Sequence, residues 1–421
     1  MKNQRGIYTF GVVVLPLMLV VGGFRGRSLQ VTSMGSTQPA KCSEFVPRTL
    51  AIADSFGAYV DSPEIVRTAQ GTFVVGWPTL AATRSGKKYR TPHAPDSSLL
   101  LGALVLRNSS MPIPEPTIAR LFNPRAVVAP TGRVHLLWVD ADSTGMQGSA
   151  GPIMWAEWDG SEWTKPDSVR STAGLNIWRH NTVSPVVRTE SSTFLVATFG
   201  VAASRTRVIT WQGGKWIAKL MPTFESSYLS FGVNGDTLTA VRLDYGAPDG
   251  NAVYSQRSVD GGKTYSLPIR VSQPGTGSAT DIRVLRLSSG RLVAVWTATR
   301  ARESDLAAAY SDDGGLSWRS SPSFRTGAGV LAMRATTTLN DKVVAIAQIG
   351  NPRRVVPTYI EWKNGAWSTP LPFIRDSSSS LGVAGIAGGD SVVMAWGQYA
   401  PGDKWPLTRY VVLPRDCLQP G

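Results

Sequence analysis

The chain has 421 residues, with 42 Gly and 28 Pro, about one residue in six, 42% hydrophobic and 17% charged residues, and a net charge of +14. The high turn-former content argues against a helical bundle or coiled coil, and the hydrophobic fraction against long disordered tracts. Two cysteines exclude a disulfide-dense scaffold, and no Cys/His cluster has zinc-site spacing.

The N-terminus carries Lys2 and Arg5 before an apolar run from Ile7 to Phe24 that Pro16 interrupts. A positive segment followed by an apolar one is a secretion signal; the run is marginal for a span, which needs about 17–25 residues. Residues 1–27 are therefore expected to be a signal peptide or an uncleaved signal anchor. Either fate puts the body outside the cytoplasm, secreted, periplasmic or at the cell envelope. Lys2, Arg5, Arg25 and Arg27 supply four positive charges, so the remainder keeps +10 of the +14. Such a surface favours anionic partners. No Lys/Arg-rich run or nucleic-acid motif is present, so nucleic acid is not expected, and a membrane only through the N-terminal anchor. Residues 28–46 read as a polar linker.

From residue 47 to 417 one pattern recurs. Pro63–Gly71–Trp77, Pro124–Gly132–Trp138 and Ile282–Gly290–Trp296 share offsets of 8 and 14. Looser copies start near Pro185, Tyr228, Met333 and Gly382, the last running through Asp390 to Trp396. Between copies lie hairpin signals: Trp155–Trp163, Thr210–Trp216, Ser258–Tyr265, Ser311–Trp318 and Tyr359–Trp367, each a strand, a D-G, N-G or G-G turn, and an aromatic. Two hairpins per copy make four strands. Seven copies arranged radially make an all-β propeller, with six blades as the alternative. The last copy supplies only about three strands, and a strand over 47–53 is expected to complete it. Cys42 and Cys417 flank that closure and are expected to form a disulfide, the alternative being two free thiols.

Ser258-x-Asp260-x-Gly262-x-x-Tyr265 and Ser311-x-Asp313-x-Gly315-x-x-Trp318 resemble Asp boxes, S-x-D-x-G-x-x-W. On these motifs the chain resembles the BNR/Asp-box sialidase-like propeller superfamily. The resemblance implies that the boxes lie on the outer rim, so Asp260 and Asp313 are expected to be structural. It also implies a ligand site at the mouth of the central channel. Sialidases carry an arginine triad whose first member stands in an R-I-P motif. Here the matching triplets are Asp61-Ser62-Pro63, Phe122-Asn123-Pro124 and Val183-Ser184-Pro185, without the arginine.

The residue after each copy's opening position is Glu64, Arg125, Val186, Arg283, Arg334 or Val383. Pseudo-symmetry gives these one radius and height. Pointing into the channel, the arginines make a cationic ring for a carboxylate or sulfate; pointing between blades, they pair with neighbouring carboxylates. Arg179 precedes His180 in a loop entering the third copy, and His180 with Tyr245 has the chemistry of a proton-transferring pair acting on uronic acids. Asp140, Asp142, Asp244, Arg300, Glu303 and Tyr399 lie at second-strand exits, and Asp142 is the candidate carboxyl acid/base. Solvated turn residues and a surface histidine are the alternatives. His135, inside a strand, reads as structural, and His93 carries no signal. The expected ligand is an acidic glycan, recognised and cleaved as by a glycosidase or uronate lyase. A non-catalytic glycan- or protein-binding propeller is the alternative. A monomer without cofactor or metal is expected.

Overall fold

The computed structural model describes residues 48–49, 58–60, 64–68, 71–76, 78–80, 102–105, 110–111, 121–128, 132–141, 150–158, 164–169, 187–188, 194–200, 205–220, 229–244, 247, 251–275, 277–300, 303–325, 329–337, 341–351, 354–373, 379–388, 391–399 and 407–414. These residues contain strands and turns and no α-helix. The leader, the linker and both cysteines lie outside them.

The described strands form seven antiparallel sheets of four or more strands. The first contains Glu64–Thr68, Gly71–Gly76, Gly102–Val105 and Ser110–Met111; the second Leu121–Val128, Val134–Ala141, Ala150–Trp158 and Asp167–Ser168. The third contains Val187–Arg188, Phe194–Gly200, Arg205–Gln212 and Lys215–Leu220; the fourth Leu229–Asn234, Thr237–Asp244, Ala252–Ser258 and Ile269–Arg270. The fifth contains Ser278–Arg286, Leu292–Arg300, Glu303–Ser311 and Arg319–Ser320; the sixth Val330–Thr337, Val343–Asn351, Arg354–Lys363 and Ala366–Trp367, with Leu371–Pro372 added. In the seventh, Ser379–Gly388, Ser391–Tyr399 and Leu407–Pro414 are joined by Arg48–Thr49, which pairs in register with Tyr410 and Arg409. First strands of successive sheets lie against one another from the third sheet to the seventh, then on to the first and second. The second and third sheets share a buried cluster that includes Leu137, Ile153, Ile209 and Trp216. The sheets thus close a ring, and the fold is an all-β propeller.

The fifth sheet shows why these sequences become blades. Along its second strand, Leu292, Ala294, Trp296 and Ala298 enter a cluster with Val241, Leu243 and Val253 of the fourth sheet. The alternate residues Val293 and Val295 join Val343, Ala345, Ile360 and Trp362 of the sixth. A strand with period-two geometry that is buried on both faces needs apolar residues at every position. The run Leu292–Trp296 supplies them. Small alanines share these clusters with Trp296 and Trp362, a mix of sizes that suits close packing of adjacent sheets.

The rim turns are self-contained. Ser258 Oγ donates to Asp260 Oδ1 at 2.7 Å, and the amides of Lys263 and Thr264 both reach that oxygen at 3.0 Å. The Ser311 turn repeats this: Ser311 Oγ donates to Asp313 Oδ1 at 2.7 Å, and the amides of Leu316 and Ser317 follow at 3.0 and 2.9 Å. Gly315 has φ +92°, and a Cβ there would lie 2.6 Å from Thr239 Cγ2 of the preceding blade, so only glycine fits. Trp318 Nε1 then donates to Ser255 Oγ of that blade at 2.8 Å. Desolvation is the largest single effect on Asp313 and pushes it up, but the bonds from Ser317, Ser311 and Leu316 together outweigh it and hold the carboxyl at about 2. Asp260 is held below the usual carboxylate range by Thr264 first, then Ser258 and Lys263.

His135 is fully buried between the second and third blades. Trp216 Nε1 donates to its Nδ1 at 2.9 Å, so the ring proton sits on Nε2 and is given to Glu157 Oε2 at 2.6 Å. Arg133 holds the other Glu157 oxygen at 2.5 Å. Trp155, Trp211 and Trp216 surround the imidazole at centroid distances of 5.2, 4.6 and 5.8 Å. Burial lowers the His135 pKa, against the opposing pull of Glu157. The sixth blade places a comparable carboxylate at Glu361, bonded to Lys342 at 2.8 Å and to Tyr359 at 2.5 Å.

Two outcomes are expected. Trp362→Ala removes a fully buried inter-blade ring and should cost about 3–5 kcal/mol in urea unfolding. A folded-state histidine pKa below the unfolded value means the unfolded chain binds the extra proton, so stability should fall as pH drops below about 6.5. Melting temperatures recorded on descending pH should show that loss in the native protein and a shallower one in His135→Gln.

Candidate functional site

First strands line the middle of the ring, and in four of the seven their pairing with the second strand slips in register. In the second blade the register slips between Phe122 and Arg125, opposite Trp138; in the fifth it slips between Thr280 and Arg283, opposite Trp296. Arg125 and Arg283 are thus the first residues paired after a bulge, with Leu137 and Val295. In the seventh blade Val383 follows a slip and pairs with Trp396. In the sixth the slip falls earlier, between Val330 and Ala332, and Arg334 pairs with Ile346. In the second, fifth and seventh blades the repeated tryptophan of the sequence pattern stands on the second strand at the slip. A bulge re-aims the side chains around it.

The fifth and sixth blades provide the described part of the site. Ile282 and Val284 face the fourth blade, whereas Leu285 packs toward the sixth. Alternation puts Arg283 on the sixth-blade side. It is buried, 7% exposed, and its Nη1 donates to the Ile282 carbonyl at 2.6 Å. Arg334 is half-buried, with Nη1 3.5 Å from the Met333 carbonyl. Asp281 lies in the field of both guanidiniums. It is half-buried and adopts φ +52° inside a strand. Desolvation pushes its carboxyl up from the ordinary aspartate range, and Arg283 and Arg334 only partly offset this. Thr297, in register with Thr280 beside this group, buries an Oγ1 with no hydrogen-bond partner among the described residues.

The sequence candidates are distributed unevenly. Arg283 and Arg334 lie on adjoining first strands, and both act electrostatically on Asp281. Glu64 and Arg125 occupy first strands of neighbouring blades, but their side chains lie outside the described residues. Asp142, Arg179, His180 and Tyr245 also lie outside them, as do Cys42 and Cys417. Among the second-strand exits, Asp244 pairs with Arg242 at 3.6 Å, and Arg300 donates to the Gly275 carbonyl at 2.6 Å. Sequence reasoning passed over Asp281: it falls inside a repeat copy, and the bulge that turns it out of the packing has no residue signature there. No group of three or more metal-ligating side chains occurs among the described residues.

The model of the BNR repeat-like domain matches residues 105–366, more than half of the chain. The chain belongs to the BNR repeat-like family. No curated protein matches it. Among solved structures, this BNR repeat-like chain resembles a Dyadobacter fermentans protein of unknown function, 15% identical over 70% of this chain and 95% of that one, with a TM-score of 0.50. It also resembles the polysaccharide lyase Uly1, 11% identical over 91% and 94%, TM-score 0.52. A third is a PL25 ulvan lyase bound to -[GlcA(1-4)Rha3S]-, 12% identical over 85% and 96%, TM-score 0.51. At these identities the likeness shows the shared fold.

The elevated Asp281 fixes a pH dependence. A carboxyl whose folded pKa exceeds its unfolded value stabilises the native state below the unfolded pKa, and that contribution fades as pH rises through the folded one. The native melting temperature should carry this decline above about pH 4. Asp281→Asn should remove it in differential scanning calorimetry.

Proposed function

We propose that this propeller recognises an acidic carbohydrate at the mouth of its ring and cleaves it as a uronate lyase. The observation that carries the reading is that Arg283 and Arg334 stand on adjoining first strands, with Asp281 within the electrostatic reach of both. Guanidinium forks suit carboxylate and sulfate, and a partly desolvated setting strengthens that attraction. The net charge of +14 draws a polyanion toward the protein. The likeness in fold to Uly1 and to the PL25 ulvan lyase, whose bound oligosaccharide carries glucuronate and a sulfated sugar, supports the substrate class. The leader supports a place outside the cytoplasm, where such polymers are met.

In lysis the arginines neutralise the uronate carboxylate and acidify the neighbouring C5 proton. A base takes that proton, the C4–O bond breaks, and the departing oxygen is protonated, leaving a C4–C5 double bond. His180 and Tyr245 have the chemistry for the two proton transfers, with Asp142 as a carboxyl alternative and Glu64, Arg125 and Arg179 as further substrate contacts. A second reading, binding without turnover, draws on one observation: the triplets at Pro63, Pro124 and Pro185 lack the arginine of the hydrolytic sialidase motif.

A glycan array paired with reducing-end and ultraviolet assays tests both. Uronate-bearing sulfated polysaccharide should bind, and products with unsaturated ends should accumulate. Arg334→Ala should weaken binding at least about tenfold, the scale of a lost charge-assisted bond, without lowering the melting temperature. Equal binding of neutral glycans, or an unaffected Arg334→Ala, overturns the proposal. Tight binding without product selects the second reading.

A further inference from the structure

Among the described residues, three seams of the ring are crossed by an indole N–H that reaches back to the preceding blade. Trp318 Nε1 of the fifth blade donates to Ser255 Oγ of the fourth at 2.8 Å. Trp362 Nε1 of the sixth donates at 3.1 Å to Ser321 Oγ, just past the last strand of the fifth. Between the third and second blades the donor is Trp216 Nε1, and the acceptor is His135 Nδ1 at 2.9 Å. A hydroxyl accepts such a bond at any ordinary pH, whereas an imidazole nitrogen accepts it only while unprotonated. The other ring nitrogen is already committed: Nε2 gives its proton to Glu157 Oε2 at 2.6 Å, and Arg133 holds the second oxygen of that carboxylate. A further proton therefore has one place to go, Nδ1, where the Trp216 N–H already points. Two donors would then face each other across the seam, inside a cage of rings from Trp155, Trp211 and Trp216. His135 and Trp216 are both fully buried, so neither reaches water unless the blades part.

We infer that His135 is an acid-operated clasp: its protonation breaks the Trp216 hydrogen bond and opens the seam between the second and third blades while the other blades stay joined. The clasp is independent of any ligand at the mouth. In the sheet His135 stands between Val127 and Glu157, and Glu157 and Arg133 are the charges that act on the imidazole. On the outer strands Lys215 lies 3.8 Å from Asp167 across the same seam, both exposed, and Lys165 is exposed just before. The remaining charged residues of the packed strands pair elsewhere: Arg125 with Leu137 and Asp140 with Leu121 in the second blade. In the third, Arg188 pairs with Phe194, Arg205 with Gly200, Arg207 with Leu220 and Lys219 with Val208. None of these stands in the cross-strand row of His135 or of Trp216. Burial lowers the pKa of His135, and the pull of Glu157 opposes this only in part. A parted seam wets the imidazole and returns it to the ordinary histidine range near 6.5. The open form then binds the extra proton, so opening is favoured as pH falls below about 6.5. The seams on either side of the fifth blade lack this dependence, because their clusters are apolar and their indole bonds end on hydroxyls.

Hydrogen exchange of the whole protein at about pH 7 and about pH 5, expressed as protection factors, tests the clasp. Amides of Val134–Ala141 and Lys215–Leu220 should lose at least about tenfold in protection on acidification, the scale of one proton bound by the open form. Those of Ser278–Arg286 and Leu292–Arg300 in the fifth blade should keep theirs. His135→Gln retains an acceptor for Trp216 and a donor for Glu157 without titrating, so its seam should exchange at both pH values as the native seam does at pH 7. Trp216→Phe keeps a ring in the gap but removes the donor. Its seam should be less protected than the native one at pH 7 and should change less with pH. Protection lost by all blades together, or unchanged at the seam, overturns the inference. A His135→Gln profile with the native slope does the same, and where that variant does not fold, a Trp216→Phe profile with the native slope is the overturning result.

Discussion

Burial of both faces of every blade is the constraint on which the rest of this structure depends. The second strand of the fifth blade meets the fourth blade through Trp296 and the sixth through Val295. A strand enclosed in this way has no solvated face on which to carry a charged side chain. Polar chemistry is left to strand ends, to the rim turns, and to the few places where the ladder is interrupted. Even the buried exceptions obey the rule: His135, Glu157 and Trp216 satisfy one another completely, as do Lys342, Glu361 and Tyr359. These groups join strands and blades.

The interruption at the first-strand bulge is where the two demands meet. Opposite it stands the tryptophan that fills the gap between blades, and beside it stands the arginine of the repeated position. The extra residue lets one side chain leave the packing while its neighbours remain in it. In the fifth blade that residue is Asp281, and a buried arginine and a half-buried one lie within its electrostatic reach. A carboxyl with two cationic neighbours would ordinarily be strongly acidic; here burial is the larger effect and decides the sign.

The architecture was legible because a repeat is a long signal. Offsets of 8 and 14 recur at Pro124 and Ile282, and the S-x-D-x-G turns fold on themselves with little tertiary help, so local sequence suffices to announce them. The short strand anticipated over 47–53 is present as Arg48–Thr49, since the last copy visibly lacked a partner. The site was legible only in part. Pseudo-symmetry picked out Arg283 and Arg334, because equivalent positions share a radius. It could not give the direction in which each guanidinium runs, which is set by alternation across the bulge and by the carbonyl of Ile282. Asp281 was not legible at all, because its importance comes from one slipped register and a left-handed backbone rather than from residue type.

The strand Arg48–Thr49 pairs with residues near the opposite end of the chain. During synthesis it emerges first, yet its partner Leu407–Pro414 is made last. The seventh sheet therefore cannot be completed while the chain is still being extended, and the two ends of the nascent ring wait with unpaired edges. Joining them makes the most distant strand pairing among the described residues, a slow step by loop-closure entropy. Until it happens, earlier blades are folded but unsealed, and the newborn protein is most open to mispairing with its own copies.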